Sequence, residues 1–227
     1  AILEQVRQKY QVSVITDVHE SGMVPEVASV VDVLQIPAFL ARQTDLLVAV
    51  GNTGKSINLK KGQFMTAAQA GASVAKIREL TGNADVWLCE RGYTFGYENL
   101  VVDYRNFSQL KAFNVPVVFD ATHSVQLPGA GATGSSGGQR QFVADLAAAA
   151  VTQRISTIFM EVHPDPDNAL CDGPNSVYWS DLPALLCYLM ELDAFIKSRH
   201  PVRTDGQQEP LFDMTAAGVS AKPSSHR

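Results

Sequence analysis

The sequence predicts an α/β fold: a (β/α)8 (TIM) barrel that lacks its first two βα units and keeps six parallel strands. Three observations predict it. Six short apolar runs rich in β-branched residues alternate with amphipathic helical stretches, and that alternation implies parallel strands. Their starts are spaced by about 29 residues, which matches roughly 250 residues shared among eight units. Nearly every strand ends in reactive side chains, as a barrel requires when it gathers its chemistry at one mouth; an open doubly wound sheet concentrates it at a switch point instead.

Taken in order, AILEQVRQKY (1–10) has no Met and reads as mid-helix rather than as a beginning. The first strand, VSVITDV (12–18), leads to Asp17 and His19, and the second, VVDVLQIPA (30–38), carries Gln35. The third, KSINLKKG (55–62), ends in Lys60 and Lys61, and the fourth, ADVWLCERG (84–92), in Arg91. The fifth, VPVVFDATH (115–123), reaches His123, and the sixth, ISTIFMEVHP (155–164), reaches Glu161 and His163. Near-continuous apolar runs of this kind suit strands covered on both faces. Between and after them, MVPEVASV, TDLLVAVG, TAAQAGASVAKIREL, FSQLKAF, QRQFVADLAAAAV and SDLPALLCYLMELDAFIKS place apolar residues three and four apart, the helical spacing. Residues 1–203 therefore form the partial barrel. The stretch 204–227, rich in Gly, Pro, Ser and Gln, has the composition of a disordered tail. Without the tail the chain is about 50 residues short of a typical barrel.

Composition narrows the function classes. With 46% hydrophobic and 18% charged residues in 227, the chain can bury a sizeable core. No apolar run approaches the roughly 18 residues of a membrane span. Three separated cysteines (Cys89, Cys171, Cys187) and no CxxC pair argue against a disulfide framework or a zinc knuckle. A reducing, cytoplasmic setting is expected. A net charge of −5 gives no general attraction to nucleic acid. GAGATG (129–134) fits a dinucleotide fingerprint literally but lies six residues beyond its strand, so it reads as a mobile Gly-rich loop over the mouth. GNTGKS (51–56) lacks the first glycine of a phosphate-binding loop and reads as a helix-to-strand turn.

Lys60 and Arg91 end neighbouring strands, so together they offer a point charge and a planar fork to a phosphate or carboxylate. The bland alternative pairs them with Asp17 or Glu161. His123 suits proton transfer near pH 7 or metal ligation. EVHPDPDNALCDGP (161–174) supplies Glu161, His163, Asp165, Asp167 and Asp172; Glu161 and Asp172 are the expected acid/base or ligand groups, while Asp165 and Asp167 are expected to be solvated. Cys171 is expected to be a packed thiol.

Several runs in this order resemble one family: ITDVHE (15–20), QIPAFLARQTDL (35–46), INLKKGQF (57–64), LCERG (88–92), FGYENLVVD (95–103), VFDATHSVQ (118–126), SGGQR (136–140) and EVHPDPDNALCDGP. They are similar to the 3-deoxy-D-manno-octulosonate 8-phosphate synthases. The resemblance covers about residues 1–199 and implies a barrel, a homotetramer, and condensation of phosphoenolpyruvate with D-arabinose 5-phosphate and water for lipopolysaccharide synthesis. It further implies that Gln35, Lys60, Arg91 and His123, with the backbone near Ala38, hold phosphoenolpyruvate. Asp17 and Asp172 then lie near the sugar and the attacking water, with Glu161 positioning them. Phe39 and Arg42 resemble residues that reach a neighbouring subunit's sugar phosphate.

The family divides into metal-dependent members, whose ligands correspond to His123, Glu161 and Asp172 plus a first-strand Cys, and metal-independent members with Asn at that place. CDGP (171–174) resembles the metal-independent class, so no cofactor is expected; a divalent metal is the alternative. The family's first two strands, with their lysines and an Arg-Ser loop, have no counterpart in this sequence. Two other readings stand beside the synthase: a non-catalytic barrel remnant, and the related heptulosonate 7-phosphate synthase of the shikimate pathway.

Overall fold

The computed structural model describes residues 2–129, 137–199 and 201. After helix α1 (Ile2–Tyr10), the strands β1 (Ile15–Asp17), β2 (Val33–Ile36), β3 (Ser56–Lys60), β4 (Val86–Glu90) and β5 (Val117–Asp120) alternate with α2 (Val24–Ala28), α3 (Thr44–Gly51), α4 (Ala67–Thr81) and α5 (Arg105–Lys111). A two-residue antiparallel ladder, β6 (Gln126–Leu127) with β7 (Gly137–Gly138), precedes α6 (Val143–Thr152) and β8 (Thr157–Phe159). A second short ladder pairs β9 (Val162–His163) with β10 (Val177–Tyr178), and α7 (Leu182–Lys197) follows.

The main sheet has the order β1-β2-β3-β4-β5-β8, and every pairing in it is parallel. All six expected strands are present. The sheet curls. Asp17 at the end of β1 and Phe159 at the end of β8 line the same cavity, and Ile15 and Ile158 line another nearer the strand starts. The six strands thus make a partial barrel, and no ladder among the described residues joins β1 to β8. The disordered tail expected over 204–227 and most of the GAGATG loop fall outside the described residues.

Alternation along each strand sorts the residues. Leu34, Ile57, Leu59, Leu88 and Phe119 join the buried cluster that packs the sheet against its helices. Asn58, Lys60, Arg91 and Asp120 have the other parity and turn into the barrel, where they too are buried. The helices close the outer layer through small faces. In α4, Ala67, Ala70, Gly71, Val74 and Ile77 are buried, the three- and four-residue recurrence of a single helical face. Its ends are fixed locally: Thr66 and Gln69 form a reciprocal capping box, and Gly82 stops the helix at φ 73°. Gly71 has to lack a side chain, because a Cβ there would lie 2.3 Å from the Phe113 ring.

Phe107 of α5 anchors the other side of this layer, fully buried and edge-on to Phe119 of β5 at 5.6 Å. Removing its ring leaves a cavity that close-packed neighbours fill only in part. Phe107→Ala should therefore cost about 3–5 kcal/mol in urea unfolding. The exposed Leu80→Ala should stay within about 0.5 kcal/mol of the parent; equal losses for the two would contradict this packing.

Candidate active site

The barrel parity places charged side chains in a cavity of about 400 Å³ at the carboxyl end of the strands. Asp17 enters from β1, Gln35 from β2 with Ala38 and Phe39 just beyond, Lys60 from β3 and Arg91 from the end of β4. His123 follows β5, and Phe159 and Glu161 come from β8 and its exit; Gln63, Gln126 and Asp172 complete the rim. Nine of the ten site residues expected from sequence therefore line one cavity. Arg42, exposed on the turn after Leu40, does not, and Phe39 stands at the edge with 75% of its surface exposed.

Asp120 organises the floor. It is fully buried at the end of β5; one oxygen meets Lys60 Nζ at 2.6 Å and His123 Nδ1 at 2.8 Å. The other accepts the backbone N–H of His123 at 2.9 Å and the Thr122 hydroxyl at 3.2 Å. Lys60 thus pairs with Asp120, rather than with Asp17 or Glu161. Its ammonium also sits 4.0 Å from the centre of the Phe159 ring, a cation–π contact with charge on one side and the ring face on the other.

Because a carboxylate only accepts, His123 must give its Nδ1 proton to Asp120, which turns Nε2 toward Glu161 at 3.2 Å. Burial pushes the imidazole pKa down, yet the hydrogen bonds to Asp120 and Glu161 outweigh it and raise the group to about 9. Burial likewise opposes ionisation of Asp120, and the Lys60 and His123 cations override it, holding that carboxyl well below its ordinary range.

Arg91 is only 4% exposed, and its Nη2 donates to Gln126 Oε1 at 2.6 Å. Gln126 in turn donates from Nε2 to Asp172 Oδ1 at 2.6 Å. Arg91 Nη1 is buried with no protein partner among the described residues. A buried guanidinium N–H without an acceptor costs free energy, and an anion in the cavity would relieve that cost. Asp172 reaches the rim from a backbone with φ 51°, an uncommon conformation for a residue with a side chain, of the kind that functional sites retain.

One ligand atom from each of His123, Glu161 and Asp172 falls within 4.8 Å of the others. An imidazole nitrogen and two carboxylate oxygens suit a divalent transition metal, and the Asp120 bond to Nδ1 is the outer-shell contact that orients such a histidine. These residues fit a metal. His163 stands apart, its Nδ1 accepting the Asp165 backbone N–H. Asp165 and Asp167 lie exposed, as expected, although Asp167 also pairs with Arg140 at 3.1 Å. The expected packed thiol is a correction: Cys171 is exposed, because the loop commits Asp172 inward and turns its neighbour out.

Asp120 and Gln126 join the site in addition to the residues expected from sequence. Both lie within VFDATHSVQ, and a signal for Asp120 existed: it ends a strand three residues before His123, on the inward parity.

The sequence model of the DAHP synthetase I family matches residues 1–198. The chain belongs to that family. Relatives within reach of the DAHP synthetase I match include 2-dehydro-3-deoxyphosphooctonate aldolase of Pelobacter propionicus, 54% identical over 86% of this chain and 71% of the relative. The proteins of the same name from Geobacter sulfurreducens and Desulfotalea psychrophila are 55% and 50% identical, over 86% and 87% of this chain and 71% and 70% of theirs.

The raised pKa of His123 sets a direction for pH. Its folded value, about 9, exceeds the ordinary 6.5, so its stabilising contribution is complete below about pH 6.5 and is lost as pH rises through about 9. In the metal-free protein, the His123 NMR titration should centre near 9 and move down in Asp120→Asn. The urea midpoint should fall between pH 6.5 and 9 in the parent and flatten in His123→Gln. A His123 midpoint at 6.5 in the parent would contradict the assignment.

Proposed function

We propose that this chain carries the active site of a 3-deoxy-D-manno-octulosonate 8-phosphate synthase, joining phosphoenolpyruvate, D-arabinose 5-phosphate and water to give the eight-carbon product and inorganic phosphate. The observation that carries this reading is the cavity with a buried, partly unpaired Arg91 beside Lys60, in a chain about 55% identical to proteins named 2-dehydro-3-deoxyphosphooctonate aldolase. The name of those relatives favours the octulosonate product over the heptulosonate alternative.

In this reading Arg91 and Lys60 grip the phosphate and carboxylate, and Gln35 and the Ala38 backbone fix the enol plane, so that carbon 3 faces the sugar aldehyde. Carbon 3 bonds to the aldehyde carbon, whose oxygen takes up a proton. Carbon 2 becomes electron-poor and bonds to water, which loses a proton, and phosphate departs as the ketone forms. The His123 imidazolium is the proposed proton donor, and Asp172 and Asp17, which line the same cavity, are the proposed acceptors of the proton from water. Glu161 holds His123 Nε2.

A divalent ion held by His123, Glu161 and Asp172 would supply Lewis acidity to a bound oxygen. We favour the metal-independent class on the CDGP run (171–174). Phe39 and Arg42, exposed at and beyond the rim, are proposed to serve a neighbouring copy in a homotetramer. No nucleic-acid partner is part of the proposal. Three free thiols agree with a reducing, cytoplasmic setting, and among the described residues no helix is long and apolar enough to cross a membrane.

The protein made from the complete reading frame should release phosphate from phosphoenolpyruvate only when arabinose 5-phosphate is present, with the rate unchanged by a chelator. Arg91→Ala should lower kcat/KM for phosphoenolpyruvate about 100-fold. Phosphate release with erythrose 4-phosphate but not with arabinose 5-phosphate would overturn the substrate assignment, and loss of rate in chelator would overturn the metal-free reading.

A further inference from the structure

A second buried ion pair lies on the opposite face of the same two strand ends. Lys60 and Arg91 face the cavity, so their neighbours Lys61 and Glu90 face the helices, where both side chains are fully buried and 3.3 Å apart. Lys61 Nζ also donates to the carbonyls of Gly62 at 3.3 Å and Met65 at 3.4 Å, and sits 3.6 Å from the centre of the Tyr93 ring. Glu90 Oε1 accepts the backbone N–H groups of Arg91 at 2.9 Å and Gly92 at 2.7 Å, and Oε2 accepts from Asn106. The Lys61 backbone N–H donates to the Cys89 carbonyl at 2.8 Å, carrying the β3–β4 pairing to the last residue before the cavity.

Such a pair is a poor device for stability alone, since well-packed apolar residues of similar volume do as well or better. Its contacts concern backbone direction. The carboxylate bonds the two amides that turn the chain out of β4, where Gly92 takes φ 92°, and the ammonium ties that carboxylate to the end of β3. Shifting either strand end would change the separation of the Lys60 ammonium and the Arg91 guanidinium, and a fork binds an anion only in register.

We propose that Lys61 and Glu90 are positioning residues for the phosphoenolpyruvate grip, setting the spacing of Lys60 and Arg91 from behind the sheet. The proposal rests on the synthase reading above.

The test is steady-state kinetics of the protein from the complete reading frame, with Lys61→Met and Glu90→Gln, and amide hydrogen exchange at Arg91 and Gly92. Each variant should raise KM for phosphoenolpyruvate at least 10-fold, with KM for arabinose 5-phosphate within 2-fold and kcat within 3-fold. Exchange at both amides should quicken at least 10-fold in Glu90→Gln. If Lys61→Met does not fold, Glu90→Gln decides alone. Folded variants with an unchanged phosphoenolpyruvate KM, or with both KM values raised alike, would overturn the positioning role. If the parent does not react with these substrates, the synthase reading falls; unchanged exchange at Arg91 and Gly92 would then overturn the positioning claim separately, and quickened exchange would support it.

Discussion

A carboxylate with no water around it has to be met by cations and donors, and at Asp120 one residue meets two cationic partners of the site at once. Its oxygen lies 2.6 Å from Lys60 and 2.8 Å from His123. The consequences spread outward. Lys60 is held against the Phe159 ring, and the His123 ring is oriented so that Nε2 meets Glu161. The His123 charge follows from the same contacts, since burial by itself would discharge it. Arg91, bonded to the neutral Gln126, keeps a buried donor, Nη1, that has no partner among the described residues. Cations of different availability in one cavity suit a substrate bearing both a phosphate and a carboxylate.

The partial barrel makes this possible through strand parity. Along β3 and β4, one face delivers Lys60 and Arg91 to the cavity while the other delivers Lys61 and Glu90 to the helix layer. Two buried charge groups thus stand back to back across a single sheet, one facing substrate and one facing the core. The burial that makes them costly to separate also keeps them rigid, because unpaired charge in either layer is strongly unfavourable.

Much of this was legible in the sequence, for identifiable reasons. Strands such as SINLK and VVFD announce themselves because parallel strands are buried on both faces. The α4 segment TAAQAGASVAKIREL shows itself through the three- and four-residue spacing of its apolar residues, while the Thr66–Gln69 capping box and Gly82 that set its limits emerge in the structure. The strand-end side chains converge because a barrel brings its carboxyl ends to one mouth. What stayed hidden depended on proximity across the fold. The β6–β7 and β9–β10 ladders are two residues long and exist only where distant loops meet. Lys60 was expected to meet Asp17 or Glu161 if it paired at all; choosing Asp120, two strands away, requires knowing how far the sheet curls. The exposure of Cys171 depends on a left-handed Asp172 that no local pattern signals.

The central claim is that Lys60 and Asp120 act as one buried unit on which the cavity depends, and a double-mutant cycle on stability tests it most directly. Asp120→Asn should cost about 3 kcal/mol or more, because it strands the buried Lys60 cation, and Lys60→Met about 3 kcal/mol, because it takes one of two cations from the buried Asp120 carboxylate. The double variant should cost far less than their sum, with a coupling near 3 kcal/mol. Losses that add to within about 0.5 kcal/mol would show the two groups to be independent and would contradict the account.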